Sequence, residues 1–272
     1  MYFMSYRLFF FSYLKYGSLL LGQILIVLFS FFVALFLAWH TLSWVQFFYP
    51  LIYDALDLNM HIQQYAPLNA YKSGFEQTLR EQHIRLFGEV VFAINQSGLW
   101  LEQMVYYDQS GQVMDSFLRK PEVIHLQDVA NLLNGLTRVA YGAMVLLVCM
   151  VFWFKMTQQS FVHIRQTLAW VLGGVLLLSG VVVLFDAQAI FYYLHTQVFP
   201  EEHQWFFYYQ ESLMTTLMKA PDIFAVIAVL LVLTAVLYCT AILSWINWFL
   251  KCNSNSQICD REYQGKDERT DR

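Results

Sequence analysis

Charge is what this chain has least of. Only 13% of its 272 residues are Asp, Glu, Lys or Arg, about half the share of an ordinary soluble domain. The 20 acidic residues outnumber the 16 basic ones, so no basic excess argues for a nucleic-acid partner. Cysteine is scarce as well. Cys149 and Cys239 lie in apolar runs, Cys252 and Cys259 in a polar tail. None has metal-ligand spacing, and no disulfide framework is implied. There is no G-x-S-x-G nucleophile elbow and no H-E-x-x-H zinc signature. The apolar runs hold almost no ionisable residue, which argues against an ion or substrate path through a membrane.

What the chain does have is apolar surface. It is 58% hydrophobic, with a mean hydropathy of +0.45. That composition is that of an integral membrane protein. A helix crossing the hydrocarbon needs about 20 apolar residues, and four runs supply them: 17–39, 139–156, 167–185 and 224–250. The first is too long for a cleaved signal peptide and reads as a signal anchor.

Lys and Arg near the spans set the orientation. Arg7 and Lys15 precede the first run, and Lys155 and Arg165 flank the connection between the second and third. The tail holds Lys251, Arg261, Lys266, Arg269 and Arg272. The connection between the third and fourth has only Lys219 against five acids. Both termini therefore face the cytoplasm, and 40–138 and 186–223 face outward.

Residues 40–138 are too long for a plain link. Ser73 and Glu76 read as a capping box, with Phe75, Leu79, Leu86, Val90 and Ile94 following at helical spacing and Gly98 as the stop. Two short strands flank the turn Asp108-Gln109-Ser110-Gly111. Pro121 then opens a helix at a position that tolerates proline. The fold class expected is an α-helical membrane protein, with four transmembrane helices and a small extracytoplasmic α+β cap between the first and second. In order, a cytoplasmic N-terminus (1–16) leads into the first span (17–39), the cap (40–138) and the second span (139–156). A cytoplasmic loop (157–166), the third span (167–185), an outward interfacial aromatic loop (186–223), the fourth span (224–250) and a disordered cytoplasmic tail (251–272) complete it.

Two histidines stand out on the outer side. In "EVIHLQDVANL", Glu122, His125 and Asp128 recur every third residue, on one side of a helix. A carboxylate one turn away can orient an imidazole and raise its basicity. His195 sits among nine aromatic residues within 191–209. Exposed to water, that patch would be costly; in the headgroup layer it fits a half-embedded segment. Each histidine alone reads more readily as structural. Together, each with acids nearby and each close to a span end, they point to proton transfer. His83 and His203 lack that framing.

These residues resemble the lipoprotein intramolecular transacylase family. "EVIHLQDVANL" is similar to its E-x-x-H-x-x-D-V motif. Phe185-Asp186, Phe191, His195, Phe199, Trp205, Phe207, Glu211, Leu213, Pro221 and Phe224 are similar to its second. The chain departs from the pattern at Leu194, at Tyr208-Tyr209 and at Glu211. The resemblance implies a bacterial cytoplasmic-membrane acyltransferase, needing no cofactor or metal, with its active face outward. Its substrate would be a diacylglyceryl lipoprotein lying among membrane lipids. The sn-2 acyl chain would pass to the amine of that lipoprotein's N-terminal cysteine. His125 and His195 would be catalytic, with Glu122, Asp128, Asp186 and Glu211 orienting them. Phe191, Phe199, Trp205 and Phe207 would line the acyl groove. Two other readings stand beside it: a non-enzymatic protein whose cap binds a lipid or a partner, and a metal-dependent hydrolase.

Overall fold

Stretches without proline can propagate a helix at one hydrogen bond per residue, and the longest elements here lie over the apolar runs. A computed structural model of the chain describes residues 2–159, 161, 164–184 and 187–270. Helix α1 spans Tyr2–Trp44, followed by α2 (Tyr49–Ala55), α3 (Leu58–Tyr65) and α4 (Arg80–Asn95). The strands β1 (Val105–Tyr107) and β2 (Val113–Ser116) precede α5 (Lys120–Met156). Then come α6 (Ile164–Leu184), α7 (Ala187–Val198), α8 (Leu213–Met218) and α9 (Asp222–Thr270). Four segments are long and apolar enough to cross a membrane: Gly17–Trp44, Lys120–Met156, Ile164–Val182 and Asp222–Lys251.

The chain divides into two compact units. One comprises 1–37, 139–175 and 234–272. In it Ile26, Val33 and Ala34 of α1 form a buried cluster with Leu147, Val151 and Phe154 of α5 and Cys239, Leu243 and Ile246 of α9. Its outward side chains, such as Leu20, Leu21 and Ile24, are apolar and exposed, as a lipid-facing surface requires.

The other unit comprises 38–138 and 176–233. Its core is aromatic. Tyr49 of α2 stacks on Phe87 of α4 with centroids 3.9 Å apart, and its hydroxyl donates to the carbonyl of Leu217 in α8 at 2.9 Å. The antiparallel pair β1–β2 closes through Asp108, whose Oδ1 accepts from the backbone N–H of Ser110 and Gln112 at 2.8 and 2.9 Å. Strands, turn and the proline-led start of α5 fall where the sequence puts them.

Three expectations need correction. The capping box does not form: Gly74 turns left-handed (φ +78), Phe75–Gln77 make a 3-10 turn around the buried Phe75, and α4 begins only at Arg80. The connection 186–223 is not a bare loop, because α7 and α8 occupy much of it. The tail expected to lack structure continues α9 as far as Thr270; it contains no proline to break the hydrogen-bond ladder.

Candidate active site

Helix α5 runs without a break from Lys120 into its apolar half. At 1.5 Å per residue, His125 stands about 18 Å above residue 137. Whatever meets it must rise to that height, and α7 does. Its last turn carries His195, and the two imidazole centroids lie 6.4 Å apart.

The aromatic residues expected to line a groove enclose this pair. Phe199 lies 5.0 Å from His125 and 5.2 Å from His195. Phe191 is 3.8 Å and Trp205 4.9 Å from His195. Phe207, 4% exposed, approaches His125 at 6.2 Å. Phe224 stacks behind Phe191 at 6.3 Å.

The ring nitrogens are not equivalent. His195 Nδ1 lies 2.8 Å from the carbonyl oxygen of Phe191. A carbonyl only accepts, so Nδ1 carries the proton and neutral His195 presents a lone pair at Nε2. Burial among rings lowers the His195 pKa below the usual 6.5, and the bond to Phe191 offsets part of that. His125 Nδ1 is shut from solvent and has no hydrogen-bond partner among the described residues.

The carboxylates serve other residues. Glu122 is fully buried. Its Oε2 accepts from the backbone N–H of Arg119 at 2.7 Å, and its Oε1 accepts from the hydroxyl of Ser212, the N-cap of α8. Asp128 Oδ2 lies 2.6 Å from His203 Nδ1. Among the described residues, no hydrogen bond or ion pair joins Glu122, Asp128 or Glu211 to His125 or His195. Glu211 contributes a backbone N–H to the turn at Tyr208. Asp186 lies outside the described residues. Sequence spacing missed His203 because its partner is 75 positions away. It also missed Arg119, whose guanidinium lies 4.4 Å from the Tyr71 ring and 5.9 Å from that of Phe207. No group of three or more His, Cys, Asp or Glu side chains among the described residues is placed to hold a metal ion.

The sequence profile of the lipoprotein intramolecular transacylase Lit matches residues 18–221. The chain belongs to the lipoprotein intramolecular transacylase family. As a Lit family member it is a membrane transferase. Solved structures of the membrane integral Lit from Bacillus cereus share the fold. One with a histidine-to-arginine mutation gives a TM-score of 0.64 at 13% identity, covering 90% of this chain and 97% of that one. Another gives 0.63 at 13% identity, with 88% and 98% covered. A third, with histidine changed to alanine, gives 0.63 at 13%, with 89% and 98% covered. No curated protein sequence matches this chain.

Proposed function

We propose that this chain moves the sn-2 acyl chain of a diacylglyceryl lipoprotein onto the amine of that lipoprotein's own N-terminal cysteine, at the His125–His195 pair. The observation that carries the reading is the approach of these two imidazoles, from helices far apart in sequence, beside the shared ring of Phe199. The family membership supports the reaction class.

An α-amino group has a pKa near ~8 and arrives largely as ammonium. It must lose a proton to attack. His195 Nε2 has the free lone pair, so His195 takes the role of base. His125 takes that of donor. A buried orphan acceptor is more often tolerated than a buried orphan donor, so an Nδ1 with no partner among the described residues favours the tautomer with its proton on Nε2. That N–H stabilises the oxyanion. The step forms one C–N bond and breaks the acyl C–O bond. His195 Nε2 takes one amine proton and passes it to the departing glyceryl oxygen, which leaves as a hydroxyl. The ammonium's surplus proton leaves to water. No enzyme nucleophile is needed, because the acceptor is part of the substrate and the pocket supplies proximity. The reaction would take place on the outer side of a bacterial cytoplasmic membrane, with both chain termini inside.

The test is mass spectrometry of the N-terminal peptide of a diacyl lipoprotein co-expressed with this protein in a host lacking other N-acylation. An N-acyl, monoacylglyceryl peptide of unchanged acyl mass is expected, and His125→Ala and His195→Ala should abolish it while leaving the protein inserted. Normal product from either variant removes that histidine from the mechanism. A peptide that keeps a free amine, despite good expression, favours a lipid-binding role instead.

A further inference from the structure

Away from the histidine pair, a cavity of about 550 Å³ opens between α4 and the chain from Leu99 to Tyr107. Small-molecule sites span about 300–1,000 Å³. The acyl-transfer reading gives this cavity no role.

Its construction is unusual at two places. Gln46, Phe47 and Phe48 take three successive left-handed conformations, at φ +50, +51 and +57. Each is unfavourable for an L-residue by about 1–2 kcal/mol. The turn carries the Gln46 amide over Gly88, where a Cβ would lie 2.6 Å from Gln46 Nε2. That amide makes no hydrogen bond to any described residue. Trp100 is left-handed too, at φ +65, and stacks on Phe92 with centroids 5.6 Å apart and planes 11° from parallel. Trp100 is nevertheless 56% exposed. Backbone strain that brings side chains to a cavity wall is a feature of ligand sites.

The wall holds both signs of charge. Arg85 Nη1 meets Glu89 Oε1 at 2.5 Å, while Arg85 Nη2 donates to the Val105 carbonyl at 2.9 Å. The depth is informative. Asn95, at the end of α4, accepts the Trp39 indole N–H at 2.8 Å and donates to Ser43 Oγ at 3.4 Å. Trp39 and Ser43 lie in the last turns of the first span. The cavity therefore stands where that helix leaves the hydrocarbon, the level of lipid headgroups.

We propose that this cavity binds the headgroup of a zwitterionic phospholipid. The phosphate meets Arg85, the ammonium lies between Glu89 and the face of Trp100, and a glyceryl ester oxygen takes the Gln46 amide. Charge decides the class. A ligand with only negative charge would face Glu89, and one with only positive charge would face Arg85. A headgroup carrying both exchanges the Arg85–Glu89 pair for two equivalent pairs, and tryptophan is the best aromatic partner for an ammonium. This site is independent of the acyl-transfer chemistry.

The experiment is calorimetric titration of the purified full-length protein, in a nonionic detergent, with short-chain phosphatidylethanolamine. One saturable site is expected. Arg85→Gln and Trp100→Leu should each weaken it about tenfold. Phosphatidylglycerol should bind at least about tenfold more weakly. Soluble phosphoethanolamine separates the two sources of the same chemistry: binding as tight as the lipid's would assign the cavity to a free zwitterion and overturn the lipid. Absence of a saturable site overturns the proposal. So does equal affinity in variants that melt with the wild type. Should Arg85→Gln fail to fold, Trp100→Leu decides alone.

Discussion

His203 Nδ1 and Asp128 Oδ2 lie 2.6 Å apart, joining the segment after α7 to α5 one turn beyond His125. The bond pins the stretch that carries Phe199, Trp205 and Phe207. Asp128 therefore holds the aromatic wall by its hydrogen bond and reaches the imidazole of His125 only through its charge. Asp128→Asn and His203→Gln should each reduce acyl transfer by a similar, partial amount. The double variant should be no worse than either single one, because both remove the same bond. Rates of lyso-form product in membranes, normalised to inserted protein, check this. An Asp128→Asn loss as complete as that of His125→Ala, beside a normal His203→Gln, would return Asp128 to the role of orienting His125.

Glu122 gives a prediction of a different kind. Its buried carboxylate joins the start of α5 to the cap of α8, through the Arg119 N–H and the Ser212 hydroxyl. Glu122→Ala would leave the Arg119 guanidinium, Nε 3.5 Å from the carboxylate, without its counter-charge in a largely buried place. Breaking such a pair costs about 3–5 kcal/mol. Ser212→Ala should cost about 1–2 kcal/mol, since Ser212 Oγ also accepts the Thr215 N–H at 2.9 Å. Thermal unfolding of the purified variants reads both. Unchanged melting for Glu122→Ala would contradict the network.

The apolar runs were legible because crossing a membrane leaves a one-dimensional signature: length and hydropathy suffice. The two histidines and their aromatic partners were legible through the family motif and their setting among span ends. The partners of the acids were not. Glu122, His125 and Asp128 share a helix face, and spacing alone makes them a triad. In three dimensions Glu122 turns to Ser212, 90 positions on, and Asp128 to His203. Which acceptor wins is set by chain crossings that no local period encodes. The failed capping box has the same origin: burial of Phe75 outweighs one side-chain cap.

His83 should make the unit of residues 38–138 and 176–233 acid-sensitive. It is fully buried. Thr78 Oγ1 donates to the Phe75 carbonyl at 2.6 Å and so accepts from His83 Nε2, also at 2.6 Å. The Tyr53 hydroxyl then donates to Nδ1 at 2.8 Å. Both nitrogens are satisfied in the neutral ring, and burial pushes the pKa from 6.5 down to about 4. The unfolded chain takes up a proton near 6.5 while the folded one resists until about 4. Stability is therefore full above pH 6.5 and falls progressively as pH drops towards 4, by roughly 3 kcal/mol. Melting temperatures across that window should fall in the wild type, and His83→Phe should flatten the slope. Equal slopes would place the acid sensitivity elsewhere.

The pH dependence of the reaction itself should follow His195. As base it must be neutral, and burial among Phe191, Phe199 and Trp205 lowers its pKa below 6.5. The acid limb of the turnover rate, at saturating substrate, should then lie below pH 6.5, with activity lost as His195 gains its proton. Trp205 lies 4.9 Å from the ring and shields it on one side. Trp205→Ala admits water, relieves part of the desolvation and should move the limb upward, towards the value of an open histidine. The profile of the wild type beside Trp205→Ala tests both the base and the cause of its shift. A limb that stays in place when the indole is removed would assign the titration to another group, and would leave His195 as a donor rather than the base.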